Sequence, residues 1–413
     1  MGRNSKKQQI TQVAVSQKKA ATGQPNTPQP MGMRSSGEVI HAFRSSALKR
    51  NFEMAGIPTV LNAAGDSNEI ELSPQGLLEY VELRIQATVT VTLNSGTLHL
   101  SNRGPWNILN HIFLADPDNW PCVINLDGDE LNAMEQTKWK RYPHDPAYPY
   151  GPTWGYSAGV DAAPVAAGAN AWAFSIVVPA CVNAEAGDFR GMLNLASANA
   201  RARIQYIVNS SLLGATDDSL VVQDTGTSTV ALTALTVTPV MHFRQPVTVT
   251  DGQTGEVWKP TPVAELETVH ELSGARNSSL GAGADNPMVF PTGREYLRVL
   301  ERLVVNGAQV IGAVNGAGDT GATRVKFLVN DTTPITDYAL GDYLRLIRRE
   351  YGRDFNFFIW DLAYRIWDSD SYGDLVTDLF IDSSASISSN SYIQQIRDCV
   401  YRAGSVQPLA QYA

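Results

Sequence analysis

The chain has 413 residues, more than one ordinary core holds, so two domains of roughly 100–200 residues each are expected. Hydrophobic residues make up 43 % and charged residues 18 %, against a usual charged share of ~25 %, which excludes a highly charged helical protein. The net charge of −9 is uneven: Arg3, Lys6, Lys7, Lys18, Lys19 and Arg34 precede the first acid, Glu38, so a +6 arm sits on a −15 body.

Residues 1 to 36 are rich in Gln, Asn, Ser, Pro and Lys and show no sustained apolar period, which reads as a flexible arm. No apolar stretch follows its lysines, so a secretory leader is not expected. Gly37 to Met54 carries Val39, Phe43 and Leu48 at spacings that suit a short amphipathic helix. β sequence begins near Glu69. From Val81 to Leu93, apolar Val81, Leu83, Ile85, Ala87, Val89, Val91 and Leu93 alternate with polar Glu82, Arg84, Gln86, Thr88, Thr90 and Thr92. Successive strand side chains point to opposite faces, so this run predicts one long strand with a dry face and a wet face, as in a sandwich.

A second apolar run, Trp106 to Leu114, ends at the turn Asp116-Pro117-Asp118-Asn119. Asp129 to Trp139 predicts a helix with Asp129 as its N-cap. Residues 141 to 170 are a long Pro/Gly/Ala loop. Strands are expected at Trp172–Val178 and Asn199–Val208. Another at Val230–Val237 shifts phase at Ala234-Leu235, which predicts a bulge. Residues 245 to 292 read as a connection between domains. A second β block follows, with strands at Tyr296–Val305, Thr323–Val329, Phe355–Trp360 and Leu375–Ile381. The helix Leu340–Tyr351 interrupts it and is stopped by Gly352. Each block is a set of short strands carrying one helix, so two tandem sandwiches are expected.

Few motifs suggest chemistry. Gly155-Tyr156-Ser157-Ala158-Gly159 matches a nucleophile elbow, but prolines surround it where a strand and a helix are required. Gly316-Ala317-Gly318-Asp319-Thr320-Gly321 matches a dinucleotide loop, yet alternating strand sequence follows it, not a helix. Asp116, Asp118, Asp127 and Asp129 are hard-cation ligand types without the spacing of a calcium loop, and turns and caps explain them. Asp361, Asp368 and Asp370 beside Trp360 and Trp367 are the residues of the rival reading, a carbohydrate-binding or glycoside-hydrolysing β-sandwich. The six histidines are scattered, and Cys122, Cys181 and Cys399 read as core residues, not as a disulfide or zinc set. No catalytic, cofactor or metal site is expected, and a structural protein is favoured over an enzyme.

Specific residues then carry a resemblance. Gly104-Pro105, Asn107, Ile112 and Asp116-Pro117-Asp118-Asn119 are followed by a helix that ends near Trp139. Further on come Val177-Val178-Pro179, Gly187–Leu195 and the Arg201/Arg203 strand. Last come Val304-Val305-Asn306-Gly307 and Leu340–Phe355, with Arg348-Arg349 inside that stretch and Asp354-Phe355 at its end. In this order, over roughly residues 65 to 400, the chain resembles the major capsid proteins of tectiviruses, icosahedral bacteriophages with an internal membrane.

The resemblance implies an all-β chain of two tandem eight-stranded jelly rolls, a double jelly roll with short inserted helices and an N-terminal arm. It divides the chain into an arm and short helix (1–64), a first roll (65–245), a connection (246–292), a second roll (293–402) and a tail (403–413). It implies a homotrimer of pseudo-hexagonal outline, with neighbouring capsomers, other capsid and vertex proteins, and the internal viral membrane as partners. The six basic arm residues would make the inward contact with membrane or neighbour. Sequence-specific nucleic-acid binding is not expected. The implied location is the virion shell, assembled in the host bacterial cytoplasm. The arm is longer and richer in lysine than that family's, and residues 245–292 differ locally.

Overall fold

The computed structural model describes residues 35–53, 59–60, 63–115, 124–138, 165–184, 186–196, 202–223, 226–252, 255–262, 266–310, 321–330, 333–352, 355, 357–362, 367–368 and 373–402. After helix α1 (Ser36–Ser46), eight principal strands follow in the first half of the chain. They are β1 (Leu48–Glu53), β2 (Ser67–Glu71), β3 (Leu77–Leu93), β4 (Leu109–Ala115), β5 (Ile124–Leu126), β6 (Gly168–Pro179), β7 (Arg203–Val208) and β8 (Ser228–Gln245). Helix α2 (Gly128–Lys138) lies between β5 and β6. The strands pair as β1-β8-β3-β6 in one sheet and β2-β7-β4-β5 in the other.

The second half repeats the plan. Its strands are β9 (Thr268–Asn277), β10 (Asp285–Val289), β11 (Glu295–Val305), β12 (Ala322–Val329), β13 (Thr333–Ala339), β14 (Phe358–Asp361), β15 (Leu375–Ile381) and β16 (Tyr392–Arg402). Helix α3 (Leu340–Tyr351) falls between β13 and β14. These pair as β9-β16-β11-β14 and β10-β15-β12-β13. The second strand order is thus the first with eight added to every label, and the helix recurs in the same interval. Each half is a jelly roll, two packed sheets that hide most of their edges. The chain is a double jelly roll.

The rolls are not beads on a linker. β5 of the first pairs in parallel with β9 of the second, Ile124 opposite Leu272 and Asn125 opposite Ser273. One sheet of each roll is thereby joined into a single ten-stranded sheet. Apolar residues of both rolls belong to one continuous core.

Strand β3 follows its alternation closely. Val81, Leu83, Ile85, Ala87, Val89 and Val91 are buried; Leu93, at the strand's end, is 44 % exposed and leaves the core. The predicted bulge is present. Leu232 faces Val89 and Ala234 faces Thr88, so Thr233 is the extra residue. Its Oγ1 donates to the Thr88 carbonyl at 3.1 Å and lies 3.2 Å from Thr90 Oγ1. Helix α3 ends as expected, with Gly352 at φ 74° donating to the Arg348 carbonyl. No helix among the described residues is long and apolar enough to cross a membrane.

Several boundaries move. The helix placed over Gly37–Met54 ends at Ser46, and the exposed Leu48 opens strand β1, which pairs with β8 along its whole length. A strand of the first roll therefore lies in the stretch assigned to the arm and short helix. The stretch 246–292, read as a connection, holds β9 and β10, which pair with β16 and β15. Strand β13 was not expected at all. Asp129 is not the N-cap of α2: Asp127 precedes the helix, its carbonyl accepting from Leu131 N–H and its own N–H donating to Glu130 Oε2 at 3.0 Å.

Candidate functional site

A cluster of charged side chains lies where the rolls meet. Arg103, after the short strand Leu98–Leu100, donates from Nε to Asp129 Oδ2 at 3.1 Å and from Nη2 to Asp129 Oδ1 at 3.0 Å. The same Nη2 reaches Asp127 Oδ2 at 2.7 Å, and Nη1 reaches Asp218 Oδ1 at 2.8 Å. From the second roll, Arg302 on β11 donates to Asp129, and Tyr392 on β16 donates its hydroxyl to Asp218 Oδ1 at 2.8 Å. Asp217 adds two bonds across the same boundary, accepting from Gln309 N–H at 2.7 Å and donating its own N–H to the Gly307 carbonyl at 2.9 Å.

Burial alone would raise the pKa of Asp129, but Arg103 and then Arg302 outweigh it and hold the carboxyl below its ordinary value. Its neighbour Glu130 goes the other way. Burial first, and then the adjacent Asp127 and Asp129, push it up to about 8, so it carries its proton at neutral pH. Such a cluster costs desolvation, and its contribution is directional: it favours the placement of the rolls in which Arg302 meets Asp129. Farther along the boundary, Arg190 is held by Asp188 (3.0 and 2.8 Å) and bonds Glu295 of the second roll at 2.7 Å. Sheet pairing, a shared core and these charge pairs thus join the two rolls into one block.

That block turns two sheet faces outward. On the β1-β8-β3-β6 sheet, Gln86, Thr88, Thr90 and Thr92 of β3 stand between Thr229, Ala231, Ala234 and Thr236 of β8 and Ala169, Ala171 and Ala173 of β6. These rows carry no charge; Arg84, ion-paired with Glu82 at 3.2 Å, lies beyond them. On the β10-β15-β12-β13 sheet, Arg324 pairs with Asp337 at 2.6 Å, and Lys326 reaches Asp285 (2.6 Å) and Asp378 (3.3 Å). Each of these side chains has an ion-pair partner, with Lys326 shared between two aspartates, so the three carboxylates outnumber the two cations by one. Beside them Val289, 52 % exposed, and Pro287 are open to solvent. Both faces suit close contact with another protein surface, because neither has an unpaired charge to desolvate among these residues.

The other sequence candidates separate. Arg3, Lys6, Lys7, Lys18, Lys19 and Arg34 lie outside the described residues, as do the 155–159 motif, residues 316–320, Asp116, Asp118 and Asp370. What the structure shows is the anchor next to the arm. Ser35 caps α1 through Glu38, and Phe43 is buried against Phe189, with ring centroids 5.0 Å apart. Trp360 is 7 % exposed and packs against Phe358, so it is a core residue and offers no platform for a sugar. Asp361 lies within 3.4 Å of the Tyr351 hydroxyl. Cys181 and Cys399 are buried free thiols. No group of metal-ligating side chains occurs among the described residues.

No protein-family model and no curated protein matches this sequence. Solved structures do match. The STIV MCP superposes with a TM-score of 0.57 at 11 % identity, over 88 % of this chain and 99 % of that one. A chain from the atomic structure of Sulfolobus Turreted Icosahedral Virus gives 0.55 at 12 % identity, over 86 % and 91 %. A chain of the PBCV-1 virus capsid gives 0.51 at 10 % identity, over 89 % and 97 %. At such identities the likeness is one of fold, and it extends across both rolls.

Proposed function

We propose that the chain is a major capsid protein whose copies assemble, three at a time, into pseudo-hexagonal capsomers of an icosahedral shell. The observation that carries this reading is the near-complete superposition on capsid chains, spanning both rolls and their mutual placement. Physics supplies a reason for the form. Two rolls of identical strand order, locked side by side, present two similar lobes; three copies present six, which tile a surface as hexagons do. The uncharged sheet face of the first roll and the ion-paired face of the second are the surfaces proposed to meet between copies. The rival sugar-binding reading loses Trp360, one of its two tryptophans, to the core.

The +6 arm fits a contact with an anionic surface on the inner side of the shell, membrane or acidic neighbour. The virion is the proposed location and the host bacterial cytoplasm the proposed place of assembly. Multi-angle light scattering should report a stable trimer, and electron microscopy a hexagonal outline. A monodisperse monomer at high concentration would reject the capsomer. Deleting residues 2–34 spares the Ser35 cap and should leave trimers intact while impairing shell formation or binding to anionic vesicles. Unchanged behaviour in both would remove the arm from the mechanism.

A further inference from the structure

Among the described residues, the principal sheet edges are guarded against further strands, with one exception. An edge strand offers a row of unpaired N–H and C=O groups, and charge or proline on it keeps other strands away. Arg50 on β1, Glu69 on β2, Pro287 on β10, Pro334 on β13 and Asp361 on β14 do this. Strand β6 pairs with β3 alone among the described residues, so its outer side is an edge. From Gly168 to Val178 it carries neither charge nor proline. Its second half adjoins α2, where Val177 and Pro179 share the wall of a small cavity with Leu131 and Met134. Its first half is open: Gly168, Ala169, Ala171 and Ala173 are exposed.

The chain itself contains a segment that fits this edge. Residues 8–17 carry no charge, and within them Ile10-Thr11-Gln12-Val13-Ala14-Val15-Ser16 is rich in β-branched residues and has neither glycine nor proline, the composition that pairs most readily with an open strand. Lys6-Lys7 and Lys18-Lys19 bound it on both sides. The place where the arm joins the body permits the contact. The arm leads into α1, whose Phe43 shares a core cluster with Cys181, just beyond the Pro179 end of β6. Residues 17–34 can reach roughly 60 Å, and Gly168 lies roughly 36 Å from Pro179 along the strand. Strand β1 follows α1 directly, but its exposed Lys49 and Arg50 would repel the flanking lysines.

We propose that Ile10–Ser16 docks on the open edge of β6 of its own chain, as a strand added to the β1-β8-β3-β6 sheet. Main-chain hydrogen bonds carry such a contact. The lysines on either side stay in solvent, free for the anionic contact proposed above. The inference does not depend on capsid assembly, since segment and edge belong to one chain.

Hydrogen–deuterium exchange of the full chain, read by mass spectrometry on peptides covering residues 8–17 and 168–173, tests it. Both should contain amides that exchange at least roughly tenfold more slowly than in Val13→Pro, which removes a donor and breaks the added strand. For 168–173 the same loss of protection should follow deletion of residues 2–34. Val13→Thr keeps a β-branched side chain and should keep the protection. Val13→Pro also retains all six basic residues, so its binding to anionic vesicles should equal the parent's, and the docked strand and the anionic contact can fail separately. Exchange over 168–173 that is the same in the parent and in Val13→Pro would overturn the docking. Protection found on β1 instead, or protection that fades on dilution, would also overturn it, by placing the segment on another edge or on another copy.

Discussion

Asp129, in the first turn of α2, is gripped by Arg302 from the middle of strand β11, and the two belong to different rolls. Both side chains are almost wholly withdrawn from solvent. Arg103 completes the grip from the first roll. Removing one partner of such a buried set leaves an uncompensated charge, which costs about 3–5 kcal/mol. Asp129→Asn should therefore lower the free energy of unfolding by about that amount in urea. Arg302→Met in the Asp129→Asn background should recover part of the loss. A double variant no better than the single one would mean that Arg302 is satisfied without Asp129.

Glu301 makes the second roll sensitive to pH. It lies inside the sandwich, where Thr377 from the facing sheet and Gln395 (2.7 Å) donate to its Oε1. Burial is the main cause that pushes its pKa up from 4.5 to about 7, against those two donors. The folded chain then holds a proton that the unfolded chain has lost over this window. Stability must fall as pH rises from about 4.5 to about 7 and flatten above, by up to roughly 3 kcal/mol for a group so fully buried. Glu130, raised to about 8, extends the same trend upward. Thermal unfolding of Glu301→Gln across this range should show a shallower decline than the parent. An equal slope would place the titrating group elsewhere.

Burial on one face or on two decides which strands the sequence announces. β3 has one dry and one wet face, so its period of two is plain. β11 and β16 have their second roll's core on one side and the first roll on the other, and nearly every residue of both is buried. Alternation vanishes there; β16, Tyr-Ile-Gln-Gln-Ile-Arg-Asp-Cys-Val-Tyr-Arg, reads as neither strand nor helix. Arg298, Glu301 and Arg302 inside the otherwise apolar β11 were the available signal of a buried polar junction. A lone sequence does not say which distant carboxylate answers them. Strand β10 was lost because Pro, Gly and Asn around it outweigh its few apolar residues, and β1 because Leu48 extends the apolar side of the helix predicted over Gly37–Met54.

The boundary between rolls also rests on a glycine. Gly191 adopts φ 80°, and a Cβ there would come within 2.1 Å of His270 Cβ and 2.7 Å of His270 N. His270 is on β9, so the clash falls on the second roll's backbone. Gly191→Ala should cost about 1–3 kcal/mol for overpacking and about 1–2 more for the left-handed backbone. Limited proteolysis should then cut between the rolls sooner than in the parent. Equal protease resistance would show that the boundary relaxes around the added methyl.

The outward face of the first roll permits a test in which folding and assembly part company. Ala231 on β8 and Ala171 on β6 are exposed and flank Thr90 and Thr88 of β3. Within a single chain, a glutamate at either position remains in water, and surface changes of this kind shift stability by only about 0.5 kcal/mol. Between copies it would have to be desolvated against a face with no unpaired cation among Arg324 and Lys326, both already bound to aspartates. Ala231→Glu and Ala171→Glu should therefore keep the parent's folded circular-dichroism spectrum yet elute as monomers, and adding salt should not restore the trimer, because the obstacle is desolvation of a buried charge and not long-range repulsion. Trimers that persist in both variants would move the contact between copies off this sheet.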